Sequence, residues 1–168
     1  MKLHSTSIQT PLGRLTFIIQ KKGEDVVVAA GFSEREELRQ RLPKELQSYD
    51  VEEISHHPYK DAVIAYFSGN LAALSTIKHE QPGSPFSKKI WDVMQTIPAG
   101  KTITYKDLAQ KSGSPAAIRA AGTVCAQNRL VLLVPCHRIV PSGGKIGNYL
   151  YGTSLKVSLL KHEAQFSS

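Results

Sequence analysis

The stretch "TYKDLAQKSGSPAAIRAAGTVCAQN", residues 104–128, decides how the second half of this 168-residue chain is read. Thr104 with Asp107 three positions later is a cap pair for a helix, and Gly113 supplies its stop, since glycine adopts the left-handed conformation that a helix end needs. Ser114 then offers an N-cap and Pro115 a first helical position for a second helix. Two short helices joined by a few residues that include a glycine make a helix-turn-helix. The second helix carries only small residues on its outward side: Ala116, Ala117, Ala120, Ala121 and Gly122. A helix stripped of bulk presses its backbone against a duplex, and it packs equally well against another helix; the residues leave both open.

Upstream, "SPFSKKIWDVMQTI" (84–97) is amphipathic, with Phe86, Ile90, Trp91, Met94 and Ile97 at helical spacing, and it stops at "PAG". Downstream, the aliphatic run of "LVLLVPCHRIV" (130–140) reads as a buried strand that ends at Pro135. The order expected for the second half is helix, helix, helix, strand, strand, helix. The first half reads differently. "LHSTSIQT", "GRLTFIIQ" and "DVVVAAGF" are rich in β-branched residues and separated by "PLG" and "KKGE", which predicts a three-stranded antiparallel sheet. "SEREELRQRL" opens with Ser33 and has Glu36 three positions on, a capping-box start. "HHPYKDAVIAYFSG" sets Pro58 in a first turn, lines Val63, Ile64, Tyr66 and Phe67 along an apolar face and ends at Gly69. The expected division is an α/β domain over 1–80, a linker at 81–84 within "EQPGSP", and a mostly helical domain over 85–168.

Charge falls in the same two parts. Residues 1–83 hold ten Lys and Arg against eleven Asp and Glu, whereas 84–168 hold eleven against three. The excess positive charge therefore lies in the second half, and it points to a polyanion such as nucleic acid. No apolar run approaches the roughly 20 residues that span a bilayer, and the start "MKLHSTSIQTPLG" lacks a secretory signal, so a cytosolic protein is expected, or a nuclear one in a nucleated cell. Two cysteines are too few for a disulfide framework or an all-cysteine zinc site. No metal or cofactor is expected, and His56-His57 reads as a helix start.

After Pro135 come a thiol, an imidazole and a guanidinium: Cys136, His137 and Arg138. A thiol attacks as thiolate, and His137, or a water it holds, would take the proton. A carboxylate behind the imidazole would fix its tautomer. Glu163 is the economical choice, because Asp92 and Asp107, the other acids after residue 83, read as solvent-facing helix residues. Cys125 reads as a packed thiol. Arg138 either contacts phosphate or braces the site.

"VPCHRIV" resembles the active-site motif of the O6-alkylguanine-DNA alkyltransferases. The resemblance extends to "TYKDLA", "AAIRAAGTVCAQN", "GNY" (147–149) and "LLKHE" (159–163), so it covers nearly all of 84–168; in the first half it rests on the strand–helix pattern and "TPLG". It implies an RNase H-like α/β first domain and a winged helix-turn-helix second one. It implies that Cys136 takes an alkyl group from O6 of guanine, and also from O4 of thymine, in double-stranded DNA, once and irreversibly, with the protein acting as a monomer. By the same resemblance His137 and Glu163 complete the relay and Tyr105 donates a proton to the leaving base. Arg119 fills the place of a flipped nucleotide, and Thr104, Tyr105, Ala120, Ala121, Gly122 and Arg138 meet DNA. Pro135, Ile139, Asn148, Tyr149, Leu150 and Tyr151 form the pocket, and Asn128 supports it. Backbone carbonyls at Cys136 and Ile139 would accept from the guanine amine. Many relatives carry a small residue and two glycines after "GNY"; here Leu150-Tyr151-Gly152 follows, which either narrows the alkyl pocket or swings outward. Members of a non-reacting lesion-binding group replace the motif cysteine, which is present here, and a Cys-His-Glu hydrolase would gain nothing from a basic helix-turn-helix.

Overall fold

The computed structural model describes residues 2–167. The chain forms two compact units, one comprising Met1–Pro82 and Arg129–Leu133, the other Gly83–Asn128 and Val134–Ser168.

In the first unit, β1 (Lys2–Thr10) and β2 (Gly13–Lys22) form a hairpin in full register, and β2 pairs antiparallel with β3 (Glu24–Gly31). Thr10 tightens the first turn: its hydroxyl donates to the Gly13 carbonyl at 2.6 Å and accepts from Leu12 N at 3.1 Å. The sheet is mixed, not antiparallel as the sequence suggested. A fourth strand, β4 (Val51–Glu53), joins β1 in parallel and gives the order β3-β2-β1-β4. Three residues, two of them glutamates, carry too little alternation to be read as a strand. Helices α1 (Arg35–Arg41) and α2 (Lys44–Gln47) lie in the crossover from β3 to β4. Leu38 and Leu42 pack on Leu3, Ile18, Val28 and Ala29, and burying each such aliphatic side chain stabilises by about 1.5–3 kcal/mol.

Helix α1 begins one residue later than the Ser33–Glu36 spacing predicts. The backbone stays extended through Glu34, which becomes the N-cap and makes no side-chain cap bond, because its side chain is longer than the short ones that cap well. Helix α3 (Pro58–Phe67) starts at the expected proline, with the His57 ring accepting from Tyr59 N at 3.1 Å and reaching Asp25 Oδ2 at 2.7 Å. Val63 and Tyr66 are buried, but Ile64 is exposed.

The run 130–134 is not a strand. Arg129–Leu133 returns to the first unit beside β3, where Ala30 N donates to Arg129 O and Val131 N to Ala30 O, and Leu132 turns the chain with φ 77°. A continuous apolar run looks the same whether it is a buried strand or a buried turn, so period could not separate them.

The second unit opens with α4 (Pro85–Thr96), which buries Ile90, Trp91 and Met94. The short strand β5 (Ile103–Thr104) leads into α5 (Tyr105–Lys111), and α6 (Ile118–Ala126) follows. Helix α6 starts three residues later than the Ser114-Pro115 pair predicts. Residues 114–117 close a turn in which Ala117 N donates to Ser114 O, and Ala117 is not helical. Helices α4, α5 and α6 pack on one another. A 3-10 turn at Cys136–Arg138 runs into β6 (Ile139–Val140), parallel to β5, and α7 (Thr153–Phe166) ends the unit. Among the described residues, no helix is long and apolar enough to cross a membrane.

Candidate active site and candidate nucleic-acid interface

All side chains of the site belong to the second unit. Thr104 and Asp107 make a reciprocal capping box, each side chain accepting from the other's backbone N–H at 3.1 Å, and this fixes the first turn of α5. Tyr105 is the first residue of that turn. The pairing of β5 with β6 sets Ile103 opposite Ile139, so the start of α5 lies beside the exit of the Cys136 turn. Helix α6 passes the Tyr105 ring at Gly122, where even a methyl group would stand 3.6 Å from the ring. Burial, reinforced by the two thiols nearby, pushes the Tyr105 hydroxyl up to about 12. It stays protonated at any physiological pH and is a donor.

Cys136 is half-buried, and its N–H donates to Val134 O at 2.8 Å. Behind it lie three buried side chains. His137 Nε2 is 3.0 Å from Glu163 Oε2, with both side chains fully buried. Arg138 forks onto the same carboxylate, Nε to Oε1 at 2.8 Å and Nη2 to Oε2 at 2.7 Å, and gives Nη1 to the Ile97 carbonyl at 2.7 Å. Burial alone would raise the Glu163 carboxyl, but the bonds and charges of Arg138 and His137 outweigh it and hold the group well below the usual carboxylate range. For His137 burial dominates and lowers its proton affinity; Glu163 opposes this, while Arg138 and Lys156 add to it. The ring is thus neutral near pH 7. With the carboxylate at Nε2, the proton sits there and Nδ1 is the acceptor. Nδ1 is buried with no hydrogen-bond partner among the described residues.

Arg138 is therefore a brace. Its guanidinium bonds Glu163 and Ile97, in line with the second of the two roles that the sequence leaves open. Ala121 is fully buried, so it too belongs to the packing side of α6; Gly122 is half-buried against Tyr105, and Thr104 is occupied as a cap. Arg119 and Ala120 remain on the exposed side. Asn128 is buried and its Nδ2 donates to Val134 O at 2.8 Å, which ties together the two points where the chain leaves and re-enters this unit. Cys125 is packed, with its thiol pushed up chiefly by burial and then by Cys136.

The residues expected around a pocket divide. Pro135 and Ile139 are buried, Tyr149 and Tyr151 are half-buried with their rings edge-on at 6.2 Å, and Asn148 and Leu150 are exposed. Leu150 thus points outward, while Tyr151 stays against Tyr149. Sequence reading missed Lys156. It is fully buried in α7, and its ammonium donates to Ile139 O at 2.7 Å and Asn148 O at 3.3 Å. It therefore already holds one of the two carbonyls that the resemblance assigns to guanine. The signal was present: Lys156, Leu159 and Glu163 share one face of α7 at helical spacing.

Residues 85–165 match the family described as 6-O-methylguanine DNA methyltransferase, DNA binding domain. The chain is 34% identical over 167 residues to a methylated-DNA–protein-cysteine methyltransferase of Shigella flexneri, covering 97% of this chain and 96% of that protein. Among solved structures, it is similar to the O6-methylguanine methyltransferase of Mycobacterium tuberculosis, with TM-score 0.78, 26% identity and coverage of 99% and 95%. The same M. tuberculosis protein has been solved in complex with DNA, and that structure matches with TM-score 0.78, 27% identity and coverage of 98% and 94%.

Proposed function

Since this chain belongs to the methylated-DNA–protein-cysteine methyltransferase family, we propose that it repairs double-stranded DNA by moving an alkyl group from O6 of guanine onto Sγ of Cys136. The observation that carries this reading is the half-buried Cys136 standing in front of a fully buried His137–Glu163 pair, in the unit that also holds α5 and α6.

His137, directly or through a water at Nδ1, takes the thiol proton, and Glu163 stabilises the imidazolium. The thiolate attacks the alkyl carbon. A sulfur–carbon bond forms as the carbon–O6 bond breaks, and the electron pair passes to the guanine, which takes a proton from Tyr105. Neither His137 nor Tyr105 offers a way to cleave the thioether, so each molecule acts once. Lys156 supports the first step: burial weakens its hold on its proton, while the two nearby thiols, when ionised, strengthen it, so ammonium and Cys136 thiolate favour each other.

O6 lies inside a base pair, so the nucleotide leaves the stack. Arg119, uncovered on α6, occupies the vacated place, with Ala120 letting the helix approach. We read α5 and α6 as the helix-turn-helix of a winged fold, and the first unit as RNase H-like, for which the strand order β3-β2-β1-β4 is the support. Tyr149 and Tyr151 line the alkyl pocket and hold it to small adducts. The protein works as a monomer in the cytoplasm, or in the nucleus of a nucleated cell.

Intact mass spectrometry after mixing with duplex DNA that contains O6-methylguanine tests this. The expected result is one added methyl per molecule, mapped to Cys136 and absent in Cys136→Ala. Absence of an adduct, or repeated turnover, would overturn it.

A further inference from the structure

Ile118 opens α6 with 40% of its surface exposed, beside an exposed Arg119. In a helix whose other exposed members are mainly alanines and small polar residues, it is the one uncovered large apolar side chain. Helical spacing sets Ile118, Gly122 and Cys125 in one row. Gly122 abuts the Tyr105 ring, and the Cys125 thiol lies 4.0 Å from the carbonyl of Cys136. The row therefore runs from the outer end of α6, past Tyr105, to the acceptor cysteine, and Ile118 stands at its outer end. Arg119 is one step further round the helix, in line with the exposed Thr123.

We propose that Ile118 is a positioning residue for the extruded nucleotide. It packs against the apolar face of the deoxyribose at the mouth of the path to Cys136 and blocks the return of the base while Arg119 holds its former place. This rests on the base-extrusion reading above. The chemistry of the side chain suits that role, because an apolar group gains by leaving water against the carbon face of a sugar. A β-branched residue in a helix has essentially one χ1 rotamer, so the bumper is stiff and loses little freedom on contact.

The test compares methyl transfer from O6-methylguanine in a duplex, in the same strand unpaired, and as the free base, for Ile118→Ala, Ile118→Val and Arg119→Ala. With most of the side chain removed, Ile118→Ala should slow transfer from the duplex by about tenfold. The unpaired strand and free base should lose less than about threefold, because neither has a stack to return to. Ile118→Val should recover most of the rate, and the salt dependence of duplex binding should match the unsubstituted protein, since no charge is removed. Equal slowing on all three substrates would make Ile118 a support of the pocket, and normal duplex repair would make it inert; either result overturns the proposal. Arg119→Ala separates this from the premise. A duplex-specific defect there with normal Ile118→Ala sinks the role of Ile118 alone, whereas no duplex-specific defect in either variant sinks the extrusion reading with it.

Discussion

Replacing Arg138 by methionine should destabilise the second unit without touching the electrostatics of DNA binding. Arg138 makes three bonds, at 2.8, 2.7 and 2.7 Å, two of them to the fully buried Glu163 carboxylate. Bonds to charged groups contribute about 1.5–3 kcal/mol each, and desolvation of the ions offsets much of that. The larger consequence is what remains: a buried carboxylate that has lost its bidentate cationic partner. Removing one member of such a pair costs about 3–5 kcal/mol, which for a chain of this size lowers Tm by roughly 6–20 °C. The assay is urea unfolding followed by fluorescence of Trp91, the single tryptophan, which is buried in the second unit and donates to Val124 O at 3.1 Å. Adding Glu163→Gln should return about 2 kcal/mol, because the stranded charge is then absent. The slope of log affinity for undamaged duplex against log salt should stay as it was, whereas loss of one phosphate contact would reduce it by about 0.9. A stable Arg138→Met protein with a reduced slope would refute the brace and restore the DNA contact.

Three further outcomes are expected. Asn128→Ala removes the bond to Val134 O at a buried position and should cost about 1–3 kcal/mol by the same Trp91 assay, with slower methyl transfer. In the fold His137 binds its proton less readily than its ordinary value of 6.5, so its neutral form contributes stability above that pH, and the contribution is lost as pH falls below it; Glu163, also held low, adds stability above its ordinary 4.5 that is lost further into acid. Trp91-detected Tm should thus decline from just under pH 6.5 downward, and in His137→Gln the decline between 6.5 and 4.5 should shrink to the part that His79, also held low by burial, contributes; an unchanged curve would remove the buried neutral imidazole from the account. Lys156→Met should slow alkylation of Cys136 by iodoacetamide at mildly acidic pH severalfold, since ammonium and thiolate favour each other and the thiolate is the form that reacts; equal rates would show that the ammonium does not act on the sulfur.

Local signals in the sequence read well where one residue does one job. Pro58 and Pro85 start helices, Thr104 and Asp107 cap one, and Gly113, at φ 83°, follows the end of α5. The three long strands alternate or run apolar between turns and could be placed to within a residue or two. What failed depends on partners distant in sequence. β4 is a strand only because β1 has a free edge, and Arg129–Leu133 leaves its neighbours because Ala30 offers backbone partners. The charged side chains divide in the same way. Glu163 was found by elimination among few acids, but a guanidinium directed at phosphate and one directed at Glu163 have the same letter. Lys156 was passed over because lysine is almost never fully buried unless paired.

Counting the buried charges shows why these residues occur together. Glu163 carries one negative charge and Arg138 one positive, and their bidentate contact makes a neutral pair. His137 is neutral near pH 7, by virtue of its burial. Lys156 is left over: among the described residues its ammonium donates to the carbonyl oxygens of Ile139 and Asn148, which solvate a cation without cancelling it. A buried, uncompensated charge is costly, and the cheapest nearby way to compensate it is ionisation of a thiol. Cys125 is the poorer candidate, since burial opposes its ionisation, whereas Cys136 is half-exposed. The cluster is therefore one negative charge short when Cys136 is a thiol and balanced when it is a thiolate whose proton has passed through His137 to solvent. Alkylation reverses this, because a thioether cannot ionise. The reacted protein returns to the unbalanced state, so the alkylated form should be the less stable of the two and the easier to unfold.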